Sequence, residues 1–103
     1  MSLRLDIATI AKIEADRIYR LIPPEMEDQE TVTVPLPFLE NVLTTGEKLE
    51  DLAPAYVTRA LERLTETMRI HRLRKKAVVP KQSLEFVAAA FRIAAESAQG
   101  RRP

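Results

Sequence analysis

Six cations between Arg69 and Lys81 (Arg69, Arg72, Arg74, Lys75, Lys76 and Lys81), with no acid among them, are the residues of this chain best suited to chemistry. That chemistry is the neutralisation of phosphates or of an acidic partner. Catalytic alternatives find little support. The single histidine, His71, has no carboxylate placed in sequence to orient it as a base and no companion residues to make it a metal ligand. Ser83 and Ser97 lack the sharp strand-to-helix turn that exposes a nucleophile. With glycine only at Gly46 and Gly100, a glycine-rich phosphate loop cannot be built. The residues therefore point to a non-enzymatic protein without cofactor, metal or small-molecule substrate.

The basic run sits in a chain whose net charge is only +1, because opposite charges are segregated along it. From Glu25 to Asp51 eight acids face Lys48 alone, a net −7, and from Arg59 to Lys81 eight bases face Glu62 and Glu66, a net +6. The two blocks can pair within one chain or between copies, or the basic block can bind nucleic acid. Only Tyr56 precedes the cluster and no aromatic interleaves it, so a stacking platform for single strands is not expected.

The elements that must position these residues follow from periodicity. At about 100° per residue, Val57, Ala60, Leu61, Leu64 and Met68 form one apolar arc, and the stretch Ala53–Pro80 reads as one long helix with a basic end. After Met68 the pattern changes, since His71, Arg72 and Lys75 occupy the apolar side while Ile70 and Leu73 point away. That end must bend or meet a partner. Asp51 is the expected cap of this helix and Pro54 lies in its first turn. Upstream, Ile7, Ile10, Ala11, Ala15, Ile18, Leu21 and Ile22 predict a helix over Leu5–Ile22, stopped by Pro23 and Pro24. Glu14 projects from within that apolar arc and needs Arg17, or a basic group from another helix or subunit, as its partner. TVTVP (31–35) and AVVP (77–80) alternate as short extended fragments able to pair, subordinate to the helices. PFLENVLTT predicts a short helix ended by Gly46.

The last helix is expected over residues 81–98. Leu84, Val87, Ala88, Phe91, Ala94, Ala95 and Ala98 form one apolar face, and Phe86, Ala90 and Ile93 a second. A helix apolar over most of its circumference has to be covered on two sides, which makes Leu84, Phe86, Ala90, Phe91 and Ile93 the expected interface of a homo-oligomer or protein partner. Residues 99–103 read as a disordered tail.

Two stretches resemble known families. HRLRKKAVVPKQSLEFVAAAF (71–91) and VPLPFLENVLTTG (34–46) look like the loop-plus-last-helix and first helix of a histone fold, although the helix between them is about two turns short. A second resemblance covers residues 14–54, where EADRIYRLIPPEM followed by VTVPLPFLENVL is similar to the start of one type of GINS DNA-replication-complex subunit. That resemblance implies a replication assembly, and it implies a strand over residues 16–22 where periodicity favours helix.

With 103 residues, 46% hydrophobic and 30% charged, the chain suits one domain over residues 1–98. The expected class is all-α, with three main helices, one short helix and extended segments near 31–35 and 77–80. The absence of cysteine fits a reducing compartment. No apolar run reaches the roughly 18 residues of a membrane span, and no signal peptide is apparent, so a cytoplasmic location is expected. The expected function is a self-associating interaction subunit of a larger assembly, the alternative being a nucleic-acid-associated protein using residues 69–81.

Overall fold

A computed structural model describes residues 3–100. Helix α1 (Leu3–Leu21) leads through a turn to strand β1 (Thr31–Pro35), helix α2 (Leu36–Leu49) and helix α3 (Pro54–Thr67). Strand β2 (Arg69–His71), a single 3-10 turn (Arg72–Arg74), strand β3 (Lys76–Pro80) and helix α4 (Lys81–Gly100) complete the chain. Among the described residues, no helix is long and apolar enough to cross a membrane.

The fold is α+β, not the all-α domain expected from periodicity. An antiparallel sheet of three strands in the order β1-β3-β2 is built into the body of the protein. In the register Val32 faces Val79 and Val34 faces Ala77, and all four side chains are buried. Their threonine and proline neighbours in β1 point to solvent, the period-2 alternation of a sheet covered on one face. Main-chain bonds extend the pairing past both ends, from Leu36 N–H to the Lys75 carbonyl (3.0 Å) and from Lys81 N–H to the Glu30 carbonyl (2.8 Å). The helices cover the buried face of the sheet, so the ribbon is not the marginal isolated pair that two short fragments alone would make.

The long helix expected over Ala53–Pro80 ends at Thr67, where the apolar stripe changes side. Met68 is extended, with φ −78° and ψ 145°. The Thr67 hydroxyl lies 2.9 Å from the Arg63 carbonyl oxygen and 2.8 Å from the buried Ser83 hydroxyl. It donates to the first and accepts from the second, tying the end of α3 to the start of α4. Ile70 and Leu73, wrongly phased for a continued helix, lie on the hairpin that follows. Asp51 does not cap α3 as expected. The cap position is Ala53, without a side-chain bond, and Pro54 opens the helix.

Helix α2 also departs from expectation, running through Gly46 to Leu49. Glycine is needed there for space and not as a stop. A Cβ on Gly46 would lie 2.7 Å from both terminal methyls of Leu61 and 3.1 Å from its Cγ, so α2 and α3 approach at a distance that no larger side chain permits without displacement. The helices are joined by a four-residue turn, 50–53, in which Leu52 N–H and Ala53 N–H both return to the Leu49 carbonyl.

Helix α4 is the axis of the core. It packs most extensively on α1 and next on α3. Ala8, Ala11, Ala15 and Ile18 of α1, and Leu84, Val87, Ala88, Phe91, Ala94 and Ala95 of α4, are all buried. The small side chains let α1 and α4 approach closely. Three arginine–aromatic stacks reinforce the helix pairs: Arg17 over Phe38 (5.3 Å), Arg63 over Phe86 (5.5 Å) and Arg92 over Tyr19 (5.2 Å), each adding about 0.5–1 kcal/mol at exposed positions. The expected tail boundary moves, since Gln99 and Gly100 close α4; residues 101–103 lie outside the described residues.

Candidate functional site

The hairpin formed by β2, the 3-10 turn and β3 brings five of the six predicted cations together. Arg69, Arg72, Arg74, Lys75 and Lys76 are all exposed within eight consecutive residues. Among the described residues none of the five takes part in an ion pair. No carboxylate of the Glu25–Asp51 segment pairs with them among the described ion pairs, although β1 of that segment lies beside β3. An unneutralised concentration of like charge on a narrow ribbon projects a positive field outward.

The turn itself is tight. Lys75 holds a left-handed backbone (φ 52°), the one residue with positive φ among those described, and its N–H returns to the Arg72 carbonyl at 3.1 Å. Left-handed backbone is unusual outside glycine and asparagine, and here it closes the loop. Leu73 stands at its apex with 103% relative exposure, between Arg72 and Arg74. His71 lies on β2, exposed, opposite Lys76.

Lys81, the sixth predicted cation, is separated from this cluster. It begins α4 and is largely covered, its ammonium 3.4 Å from Asp28 Oδ1 and 3.5 Å from Glu85 Oε1. Desolvation pulls its pKa down, but the Asp28 and Glu85 carboxylates together outweigh that and leave it above the ordinary value of 10.5. Because the folded value is raised, this contribution to stability is fully present below the ordinary value and is lost only as pH rises through the raised one. Lys81 holds the start of α4 against the 25–30 turn. It is the one point at which the acidic and basic blocks meet among the described ion pairs.

Helix α3 precedes the hairpin directly and presents Thr58, Arg59, Glu62 and Glu66 on its outer side. This face carries both signs of charge. It lies opposite the buried Val57, Ala60, Leu61 and Leu64. Sequence reasoning missed that a sheet would turn the basic run back beside the same helix. The reversal of the stripe at Ile70 and Leu73 was the available signal.

The residues expected at an oligomer interface divide in two. Leu84 and Phe91 have no exposed surface, because α4 is covered by its own chain, chiefly by α1 and α3. Phe86 and Ile93 remain half-buried, and with Ala90 and Ala89 of α4 and Tyr56 of α3 they line a shallow apolar groove open to solvent.

Glu14 is buried, with its side chain 8% exposed. Its Oε1 pairs with the Arg17 guanidinium at 3.3 Å within the helix, while Oε2 makes no hydrogen bond among the described residues. A buried acceptor left unpaired costs about 1–3 kcal/mol, so Glu14→Met, an unbranched apolar side chain of similar length, should raise stability. Thermal unfolding is expected to shift upward by roughly 4–8 °C for each kcal/mol regained; an unchanged or lower midpoint would show that the carboxylate has a partner in solution. Residues 16–22, read as a strand in the resemblance to a GINS subunit, are helical to Leu21.

Comparison of the chain with protein-family models, with curated proteins and with solved structures returns no match.

Proposed function

We propose that this protein is a non-enzymatic, duplex-DNA-binding helix-turn-helix domain of the winged kind. In this reading α2 and α3 are the two helices of the motif and the β2–β3 hairpin is a basic wing. The observation that carries it is the cluster of five unpaired, exposed cations on a hairpin that immediately follows the second helix of a two-helix unit with a four-residue turn. A turn of that length is typical of the motif, whose second helix enters the major groove. Affinity then comes from the hairpin, whose cations replace counterions along the phosphates. Discrimination comes from α3, where Arg59 can donate to guanine and Glu62 or Glu66 can accept from the cytosine amino group. The two glutamates add nothing to general affinity, which makes the hairpin the dominant electrostatic element.

A titration of labelled duplex at several salt concentrations tests this. Five phosphate contacts predict that log K falls with log salt at a slope of about −4.5, so raising salt from 50 to 200 mM should weaken binding by roughly 500-fold. Absence of binding at the lowest salt would remove the proposal.

The apolar groove favours a second reading that is compatible with the first, self-association through α4. Phe86 and Ile93 are seven positions apart with Ala90 between them, the spacing of a helix–helix seam, and a second copy would give a pair of helix-turn-helix units for two half-sites. Light scattering at micromolar concentration should then give a dimer mass that Ile93→Glu converts to monomer. A monomer mass for the unaltered protein would end this reading and leave DNA binding standing.

A further inference from the structure

We infer that Leu73 is an apolar wedge that the hairpin drives between two base pairs of a bound duplex, unstacking one step and bending the DNA. The inference rests on the DNA-binding reading and goes beyond phosphate contact to a distortion of the ligand.

Three features of the hairpin carry it. Leu73 is more exposed than any other large hydrophobic residue in the described structure, at 103% against 55% for Tyr56 and 52% for Ile13. A leucine so placed has its apolar surface available to a ligand. Second, the backbone at the tip is closed by a hydrogen bond from Lys75 N–H to the Arg72 carbonyl at 3.1 Å. The 3-10 turn Arg72–Arg74 and the left-handed Lys75 fix the apex, and β3, clamped between β1 and β2, anchors the ribbon behind it. A wedge must be held stiffly, since unstacking a step costs a few kcal/mol that a mobile loop would not transmit. Third, the immediate neighbours are cations. Arg72, Arg74 and Lys75 adjoin the leucine, with Arg69 and Lys76 behind them, so phosphates on either side of the entry point can be gripped while the apex faces the bases.

Apolar wedges flanked by basic residues enter the minor groove and kink the duplex by about 20–90°. Pyrimidine–purine steps such as TA unstack most readily. The proposed ligand is accordingly a duplex with such a step at the site of contact.

The test uses the full chain and a duplex of about 30 base pairs with 2-aminopurine at a central TA step and a donor–acceptor dye pair at its ends. With the unaltered protein, 2-aminopurine fluorescence should rise and energy transfer between the ends should increase. Leu73→Ala, at a position with no packing to lose, should bind with the same salt slope but lose both signals. Binding by the unaltered protein with neither signal, or identical signals from Leu73→Ala, would overturn the wedge and leave DNA binding in place. No binding at low salt would overturn both. Vesicles of phosphatidylcholine and phosphatidylserine form the comparison arm: if Leu73→Ala abolishes vesicle binding while leaving both duplex signals unchanged, the leucine serves a lipid surface and the inference is wrong.

Discussion

Neutralising the five hairpin cations should abolish duplex binding while leaving the fold unchanged. The variant Arg69→Gln, Arg72→Gln, Arg74→Gln, Lys75→Asn, Lys76→Gln removes every unpaired base of the hairpin. Asparagine is chosen at position 75 because it tolerates the left-handed backbone there. If five phosphate contacts supply the affinity, the salt slope falls from about −4.5 toward zero. At low salt the loss should reach several powers of ten. Stability should change little, within roughly 0.5 kcal/mol for each exposed substitution, because none of these side chains makes an ion pair among the described residues. Lys81→Gln is the control. Lys81 is held by Asp28 and Glu85, so its removal should leave duplex affinity and salt slope unchanged. Equal losses for the hairpin variant and the control would mean that the positive charge acts only through the whole chain.

Phe91→Ala should be the most destabilising single truncation. Phe91 is the largest of the fully buried side chains, on the helix that carries the core. Removing such a ring costs about 3–5 kcal/mol, against a total stability of about 5–15 kcal/mol for an ordinary domain. The urea midpoint should fall steeply with the slope of the transition unchanged. The same variant separates two roles for this residue. A core position loses stability at every protein concentration, whereas an interface position changes the mass in solution. The burial of Phe91 predicts the first outcome.

Phe91 also shows where the sequence was legible and where it was not. Its helix was readable almost to the residue, because the apolar positions of α1 and α4 repeat with the helical period and prolines bound the first of them. Both strands with alternating β-branched residues were readable too. What periodicity could not supply was which element would cover which face. A doubly apolar helix looks the same whether its second side meets another helix of its own chain or another subunit, and here α4 packs chiefly on α1 and α3, burying Leu84 and Phe91 while Phe86 and Ile93 stay partly open. Strand β2 was hidden for a different reason: three exposed residues, Arg69, Ile70 and His71, carry no alternation of burial. Its existence is fixed by pairing with β3, a non-local fact. Gly46 misled in a third way, since a glycine near a helix end reads as a stop when its purpose is room for Leu61. At the site, the basic residue types were legible. The grouping was not, because Lys81 lies only five positions from Lys76 in sequence yet belongs to a different contact.

The pairing of α1 with α4 has a consequence for how the chain reaches its structure. The largest helix partnership joins the first described helix to the last, and Thr33 must find Val78 before β1 has a neighbour. While the polypeptide is being synthesised, the Ala8, Ala11, Ala15 and Ile18 face therefore lacks its main native cover until Lys81–Gly100 has emerged. Contacts so distant along the chain slow folding relative to bundles of consecutive helices, and they leave an apolar helix exposed during that interval. The order in which the elements are made thus sets a window in which the nascent protein is most prone to associate wrongly, and it closes with the last helix.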